Sequence, residues 1–160
     1  IAAVGGRREV MAELEEVFFS GTHGGEALSL AAAKVVLDTL ADGSVLAAID
    51  ARGRTVVDGI SALIAEHGVQ DLISVGGEPQ RSVLAIGGVE PLVTKSFVQQ
   101  CQAQAGCLFN GGVFICARHT DEHVAAMLAG FDHAFEVLAT GTDVRPLLTG
   151  EPVAPVFRAP

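Results

Sequence analysis

Apolar residues recur at steps of three and four in the middle of the chain. Over residues 45–67 this stripe consists of Leu46, Ile49, Gly53, Val56, Ile60 and Leu63. The spacing places them on one face of a long α-helix, which must pack against another element. Ser44 is suited to cap the start of this helix, and Gly68 is suited to the position just past its end.

Further helices and four short strands are predicted around this helix. Apolar periodicity and capping residues indicate helices over about 26–40, 91–105 and 120–138. Runs of β-type residues predict strands at 72–75, 82–86, 107–109 and 113–117. From residue 42 onward this order favours an α+β domain, with helices on one face of a largely antiparallel sheet.

A polar, glycine-rich loop precedes the helix predicted from Glu26. Its sequence, Gly21-Thr22-His23-Gly24-Gly25, follows a short apolar run. Free N–H groups and the helix dipole favour an anion at a helix start, and glycines let the backbone approach it closely. The loop is therefore a candidate phosphate site that uses backbone N–H groups and the Thr22 hydroxyl. The alternative is a helix-capping loop without a ligand, because the sequence matches neither a Walker loop nor G-x-G-x-x-G.

The string SGTHGGEALSLAAA at 20–33 resembles class III aminotransferases that depend on pyridoxal 5'-phosphate (PLP), especially the branch related to glutamate-1-semialdehyde aminomutase. Residues 1–11, residues 108–120 with Asn110-Gly111 and His119-Thr120, and the tail from Glu151 resemble the same branch in the same order. The resemblance implies the α/β PLP-transferase fold type I. Residues 1–41 would then end the large PLP-binding domain, and 42–160 would form the small α+β C-terminal domain.

The resemblance also implies roles for particular residues. Gly21 and Thr22 would bind the phosphate of PLP, in the active site of the neighbouring subunit of a homodimer. Asn110 becomes a candidate for contact with the substrate, although Asn110-Gly111 is also a common hairpin turn. The activity implied is transfer of an amino group between an amino acid or amine and a carbonyl compound. The alternative is a stand-alone α+β module that binds an amino acid and regulates another process.

No catalytic residue of this family is expected within the chain. The lysine that carries PLP as a Schiff base, and the aspartate at the pyridine nitrogen, precede the position of Ile1 in the family. Lys34 is four residues before Asp38, the spacing of an exposed helical ion pair, and Lys95 is on a predicted surface helix. We therefore expect the C-terminal part of an enzyme whose N-terminal part is missing.

Two further features do not identify the substrate, and a third argues against a metal site. Glu26 replaces the asparagine common in true aminomutases, and no residue of 110–116 matches the arginine of ornithine-type relatives. Aminotransferase and aminomutase activity are therefore both possible. His119 and His123 are one helical turn apart, but no third ligand is evident, so we predict no metal site.

Composition limits the partners and the cellular compartment that we expect for the protein. Apolar residues make up 49% of the 160 residues, the mean hydropathy is +0.44 and the net charge is −9. Such a chain is expected to bury surface against the rest of its polypeptide or a second subunit. The acidic balance argues against nucleic acid, and the sequence has no membrane span or signal peptide. Three cysteines without CxxC spacing suit a reducing compartment, so we expect a cytoplasmic protein.

Overall fold

The computed structural model describes residues 1–18 and 21–154. The chain divides into two compact units, Ile1–Val45 and Leu46–Pro160. The assignment of residues 1–41 and 42–160 to a large and a small domain stays a prediction.

The first unit contains a short helix α1 (Arg8–Met11), a 3-10 turn (Ala12–Glu15) and the helix α2 (Ala27–Leu40). Helix α2 agrees closely with the prediction, and its alanine- and leucine-rich sequence favours a helix intrinsically. None of its residues is buried. Its exposed large apolar side chains are Leu28, Leu30, Val35, Val36 and Leu37.

The second unit is built on the helix α3 (Ser44–His67). Its buried face consists of Gly53, Val56, Ile60 and Ile64. The predicted stripe is wrong only at Leu46, which is 53% exposed, because Ile49 and Leu63 are partly buried and pack against the core. The predicted cap is also wrong, because the N–H and hydroxyl of Ser44 both donate to Asp42 Oδ1. Gly68 follows the helix with a φ of +66°, as its predicted role requires.

The sheet has three antiparallel strands in the order β1 (Ile73–Glu78), β2 (Arg81–Ile86) and β3 (Gly112–Phe114). Glu78 pairs with Arg81, so the β1–β2 turn contains only Pro79 and Gln80 and is shorter than predicted. Arg81 also pairs with Phe114 across β2 and β3.

The strand predicted at 107–109 does not form. The N–H of Cys107 donates to the carbonyl of Gln102 and so extends the end of the preceding helix, while Leu108 is fully exposed. The strand predicted at 113–117 shortens to β3. Asn110-Gly111 is therefore a turn that leads into β3, and no hairpin forms there.

Two further helices, α4 (Pro91–Gln104) and α5 (Asp121–Ala139), complete the second unit. Pro91 occupies the first turn of α4 as predicted, and Thr120 caps α5 in a capping box with His123. The core side of the sheet and the three helices share one apolar cluster. Its largest fully buried members are Phe131, Phe135, Ile60, Ile73, Val56 and Val98. This arrangement agrees with the predicted α+β class.

Close packing joins α3 to the β1–β2 turn. A Cβ added to Gly53 would lie 2.5 Å from the carbonyl carbon and oxygen of Pro79. Only glycine therefore fits at this crossing. In the described part of the chain, no helix is both long and apolar enough to cross a membrane.

Candidate functional site

The predicted phosphate loop is an exposed turn before α2. The N–H of Gly24 donates to the Gly21 carbonyl at 3.0 Å, and the N–H of Glu26 donates to the His23 carbonyl at 3.2 Å. Thr22 lies within the first of these turns and is exposed. Thr22 and the glycines of this loop are therefore exposed to solvent, apart from the partly buried Glu26 that follows them. Phe19 and Ser20, which precede this loop, lie outside the described residues.

The carboxylate of Glu26 lies at the start of α2, and this was not predicted from the sequence. Glu26 Oε1 accepts a hydrogen bond from the N–H of Leu28 at 2.8 Å, and Oε2 accepts one from the N–H of Ser29 at 2.7 Å. Hydrogen bonding to the Ser29 side chain, and then to the N–H groups of Ser29 and Leu28, lowers the pKa of Glu26. The carboxylate is therefore ionised at neutral pH and complements the helix dipole.

This cap corrects the expectation that the first helical turn offers free N–H groups. Two of the four N–H groups that an α-helix leaves without an intrahelical partner are bonded to Glu26. A phosphate at this loop would therefore bind through Thr22 and the loop backbone, next to a like charge. Glutamate is not one of the residues preferred at a helix N-cap, so this role was not predicted from the sequence.

Asn110 shapes the turn into β3. Its Oδ1 accepts a hydrogen bond from the N–H of Gly112 at 3.2 Å, and Gly111 has a φ of +112°. The side chain of Lys95 reaches this turn, because its Nζ lies 3.6 Å from the position of a Cβ on Gly111. Lys95 lies on α4, as predicted, and is partly buried.

Asn110 also lines a groove between residues 107–114 and the helices α4 and α5. The groove has a volume of about 330 Å³. His119 and the wholly buried Gln102 line the same groove, and the sequence did not associate either with Asn110. The one sign of this in the sequence was Gln102 itself, a polar residue among apolar ones on the buried face of α4.

The two histidines at the start of α5 use their Nδ1 atoms within the fold. The N–H of Cys116 donates to His119 Nδ1, and the N–H of Thr120 donates to His123 Nδ1, both at 3.1 Å. His119 therefore shapes the corner between β3 and α5. Within residues 1–18 and 21–154, no group of three or more His, Cys, Asp or Glu side chains is placed to hold a metal ion.

The predicted Lys34–Asp38 ion pair is present. Lys34 Nζ lies 2.6 Å from Asp38 Oδ2, with the two side chains 75% and 64% exposed. Lys34 is thus engaged on the surface of α2. Gly21 and Thr22 share one loop in the first unit, whereas Asn110 belongs to the second unit.

Comparison with known proteins gives a fold likeness. No protein-family model matches the chain, and no curated protein matches it. The solved structure of the PLP internal aldimine form of the Sphingopyxis sp. MTA144 FumI protein superposes with a TM-score of 0.72 at 20% identity. The match covers 90% of this chain and 36% of that one. The chain therefore has a fold like that of part of a PLP protein and spans about a third of its length.

Proposed function

We propose that this chain is the C-terminal part of a PLP-dependent class III aminotransferase of the aminomutase-like branch. The complete enzyme would be a cytoplasmic homodimer that moves an amino group between an amino acid or amine and a carbonyl compound. The observation that carries the proposal is the likeness to the FumI protein over 90% of this chain. The sequence resemblance supports the same family through separate features, namely the Thr22 loop and the Asn110 turn.

The residues of the first unit fit the phosphate end of PLP. Thr22 supplies a hydroxyl, and Gly21 supplies backbone without a side chain. When bound, PLP supplies an electron sink for chemistry at the amino-bearing carbon. The lysine that anchors it would come from the missing N-terminal part. Asn110 would lie on the substrate side, and no metal takes part.

The apolar surface of α2 supports the proposed homodimer. Leu28 is 81% exposed and Val35, seven residues later on the same face of the helix, is 65% exposed, although both are large apolar side chains. Exposed apolar surface of this kind marks an interaction site in soluble proteins. A second copy of the complete enzyme, related by twofold symmetry, would cover such a surface and bring Thr22 to the neighbouring active site.

Replacing Thr22 in the complete enzyme tests this function. A hydrogen bond to a charged group is worth about 1.5–3 kcal/mol. Thr22→Ala should therefore weaken PLP affinity about ten- to a hundredfold, measured by titrating the apo-enzyme with PLP. Thr39→Ala is the matched control, because the Thr39 hydroxyl donates only to the Val35 carbonyl on α2. Equal affinity in the Thr22 and Thr39 variants would make Thr22 a loop residue without a phosphate role.

Mixed dimers then test whether the site is shared. One parent carries Thr22→Ala, and the other lacks the anchoring lysine. If Thr22 serves its partner, one site of the mixed dimer combines an intact lysine with an intact Thr22 and the other site has both defects, so about half of the wild-type activity per mixed dimer should return, with mixing confirmed by mass. If activity stays low, Thr22 serves its own subunit, because each site then has one defect.

A further inference from the structure

The guanidinium of Arg52 on α3 is largely buried and only loosely paired. Its side chain is 25% exposed, and its Nη2 lies 3.6 Å from Asp121 Oδ1, which is too long for a hydrogen bond. Its Nε is buried without a hydrogen-bond partner among residues 1–18 and 21–154. Arg54, on the same helix, instead donates to both carboxylate oxygens of Asp50. A charge buried as far as that of Arg52 favours a closer carboxylate, and such a partner must reach the terminal nitrogens because Nε is inaccessible.

Arg52 and Asp121 line the same groove between α3 and α5. The groove has a volume of about 460 Å³, which is within the range of small-molecule sites. Its other walls are mostly apolar and include Ala51, Val124, Ala125 and Leu128. The two charged side chains are therefore its main polar features.

The charges of the groove favour a zwitterion. Among its lining residues in the described part of the chain, Arg52 is positive and Asp121 is negative. A plain carboxylate on Arg52 would meet the like charge of Asp121, in a chain whose net charge is already −9. A plain amine on Asp121 would leave Arg52 as loosely paired as before. An α-amino acid has a carboxylate and an ammonium on one carbon, and so matches two charged groups that lie 3.6 Å apart.

The apolar part of the groove extends from the charged pair along both helices. Asp121, Val124 and Leu128 lie on one face of α5, and the step from Asp121 to Leu128 corresponds to about 10 Å along the helix. The Leu128 side chain meets α3 at Gly59, where its Cδ1 is 2.8 Å from the position of an added Cβ. This length suits an apolar side chain of about four carbon atoms.

We propose that this groove binds an α-amino acid with an apolar side chain. The carboxylate binds the terminal nitrogens of Arg52, the ammonium binds Asp121 at the rim, and the side chain lies between α3 and α5 towards Leu128. The proposal does not rest on the proposed aminotransferase function, because none of Gly21, Thr22 and Asn110 lines this groove. Its test therefore uses the 160-residue chain without PLP.

Norleucine, hexanoate and pentylamine are the probes, because the last two keep the carbon chain of norleucine but lack its ammonium or its carboxylate. In a chain with ¹³C-methyl leucine and valine, norleucine should shift the Val124 and Leu128 resonances saturably. Val83, exposed on β2 and outside the groove, should stay unchanged. No shift of Val124 or Leu128 up to the solubility limit of norleucine would overturn the proposal.

The relative affinities test each charged contact. Pentylamine should bind about ten- to a hundredfold more weakly than norleucine, since it lacks the hydrogen bonds to the arginine. Hexanoate should bind about two- to fivefold more weakly, because Asp121 is 96% exposed and exposed ion pairs are weak. Equal affinity of norleucine and pentylamine for the wild type would overturn the assignment of Arg52, and equal affinity of norleucine and hexanoate would overturn that of Asp121.

Variants of the charged residues complete the test. Arg52→Gln should remove the preference for norleucine over pentylamine, and Asp121→Asn should remove the preference over hexanoate. Arg54→Gln is the matched control, because Arg54 pairs with Asp50 on the same helix and lies outside the groove. A loss of preference in Arg54→Gln as large as that in Arg52→Gln would overturn the site. The comparison of the three probes on the wild type decides the proposal even if Arg52→Gln does not fold.

Discussion

Helices α2 and α5 have similar composition and opposite surroundings. Both are rich in alanine and large apolar residues, yet α2 has no buried residue, whereas α5 buries Val124, Gly130, Phe131, Ala134, Phe135 and Leu138. Helix α5 obtains its stability from packing on its own unit. Helix α2 has intrinsic propensity and its cap, and helices of this length are marginal on those terms alone. Among the described residues, nothing packs on α2 closely enough to bury any of its side chains.

The largest effect should come from truncating the core of α5. Phe131 is fully buried and packs edge-to-face on Phe109, with ring centres 5.3 Å apart. Phe131→Ala should lower the free energy of unfolding by about 3–5 kcal/mol, measured by urea unfolding followed by circular dichroism.

Leu37→Ala on α2 is the control for this prediction. Since Leu37 is 66% exposed, the change should stay within about 0.5 kcal/mol. A loss above about 2 kcal/mol would show that Leu37 is buried in solution. The difference in burial between α2 and α5 would then apply to a single copy of the chain, and an oligomer would bury α2 in solution.

A smaller effect should come from the contact between α3 and the β1–β2 turn. At Gly53 an added Cβ would lie 2.5 Å from the Pro79 carbonyl, which is backbone in a paired hairpin and has little room to move. Gly53→Ala should therefore destabilise the second unit by about 1–3 kcal/mol, measured by the same urea unfolding.

Gly59→Ala on the same helix is the matched control. Its Cβ would meet only the flexible end of the Leu128 side chain, at 2.8 Å. That side chain can shift, and alanine gains about 0.8–1.0 kcal/mol of helix propensity over glycine. Gly59→Ala should therefore cost less than Gly53→Ala. The opposite ranking would place the tight contact of α3 on α5 and not on the hairpin.

The sequence predicted the elements better than their partners. Periodicity located α2, α3, α4 and α5, because local spacing determines which face of a helix is apolar. It could not show that α2 lacks a covering surface in this chain. The run at 107–109 has β-type residues but no strand beside it to pair with, and pairing is a long-range property. Likewise, Thr22 was visible as a loop residue, whereas the proximity of Gln102 to Asn110 depends on how α4 packs.

The smallest effect should appear at the cap of α2, and it depends on pH. Hydrogen bonds from Ser29 and Leu28 lower the pKa of Glu26 below the ordinary glutamate value, which is about 4.3. A carboxylate with a lowered pKa stabilises the folded form above that ordinary value, and the contribution is lost as the pH falls through the lower, folded value. Below about pH 4, the amide resonances of Leu28 and Ser29 should therefore move as the cap protonates and the first turn of α2 frays. Glu26→Gln should remove this pH dependence, since its amide carries no titrating charge.

Glu122 offers the comparison in α5, because its pKa is also lowered, first by a hydrogen bond with Thr120. Protonation of Glu122 should leave the α5 amides helical, as buried packing holds that helix in place. If α2 and α5 resist acid equally, packing and not the Glu26 cap holds α2, and a surface covers it in solution.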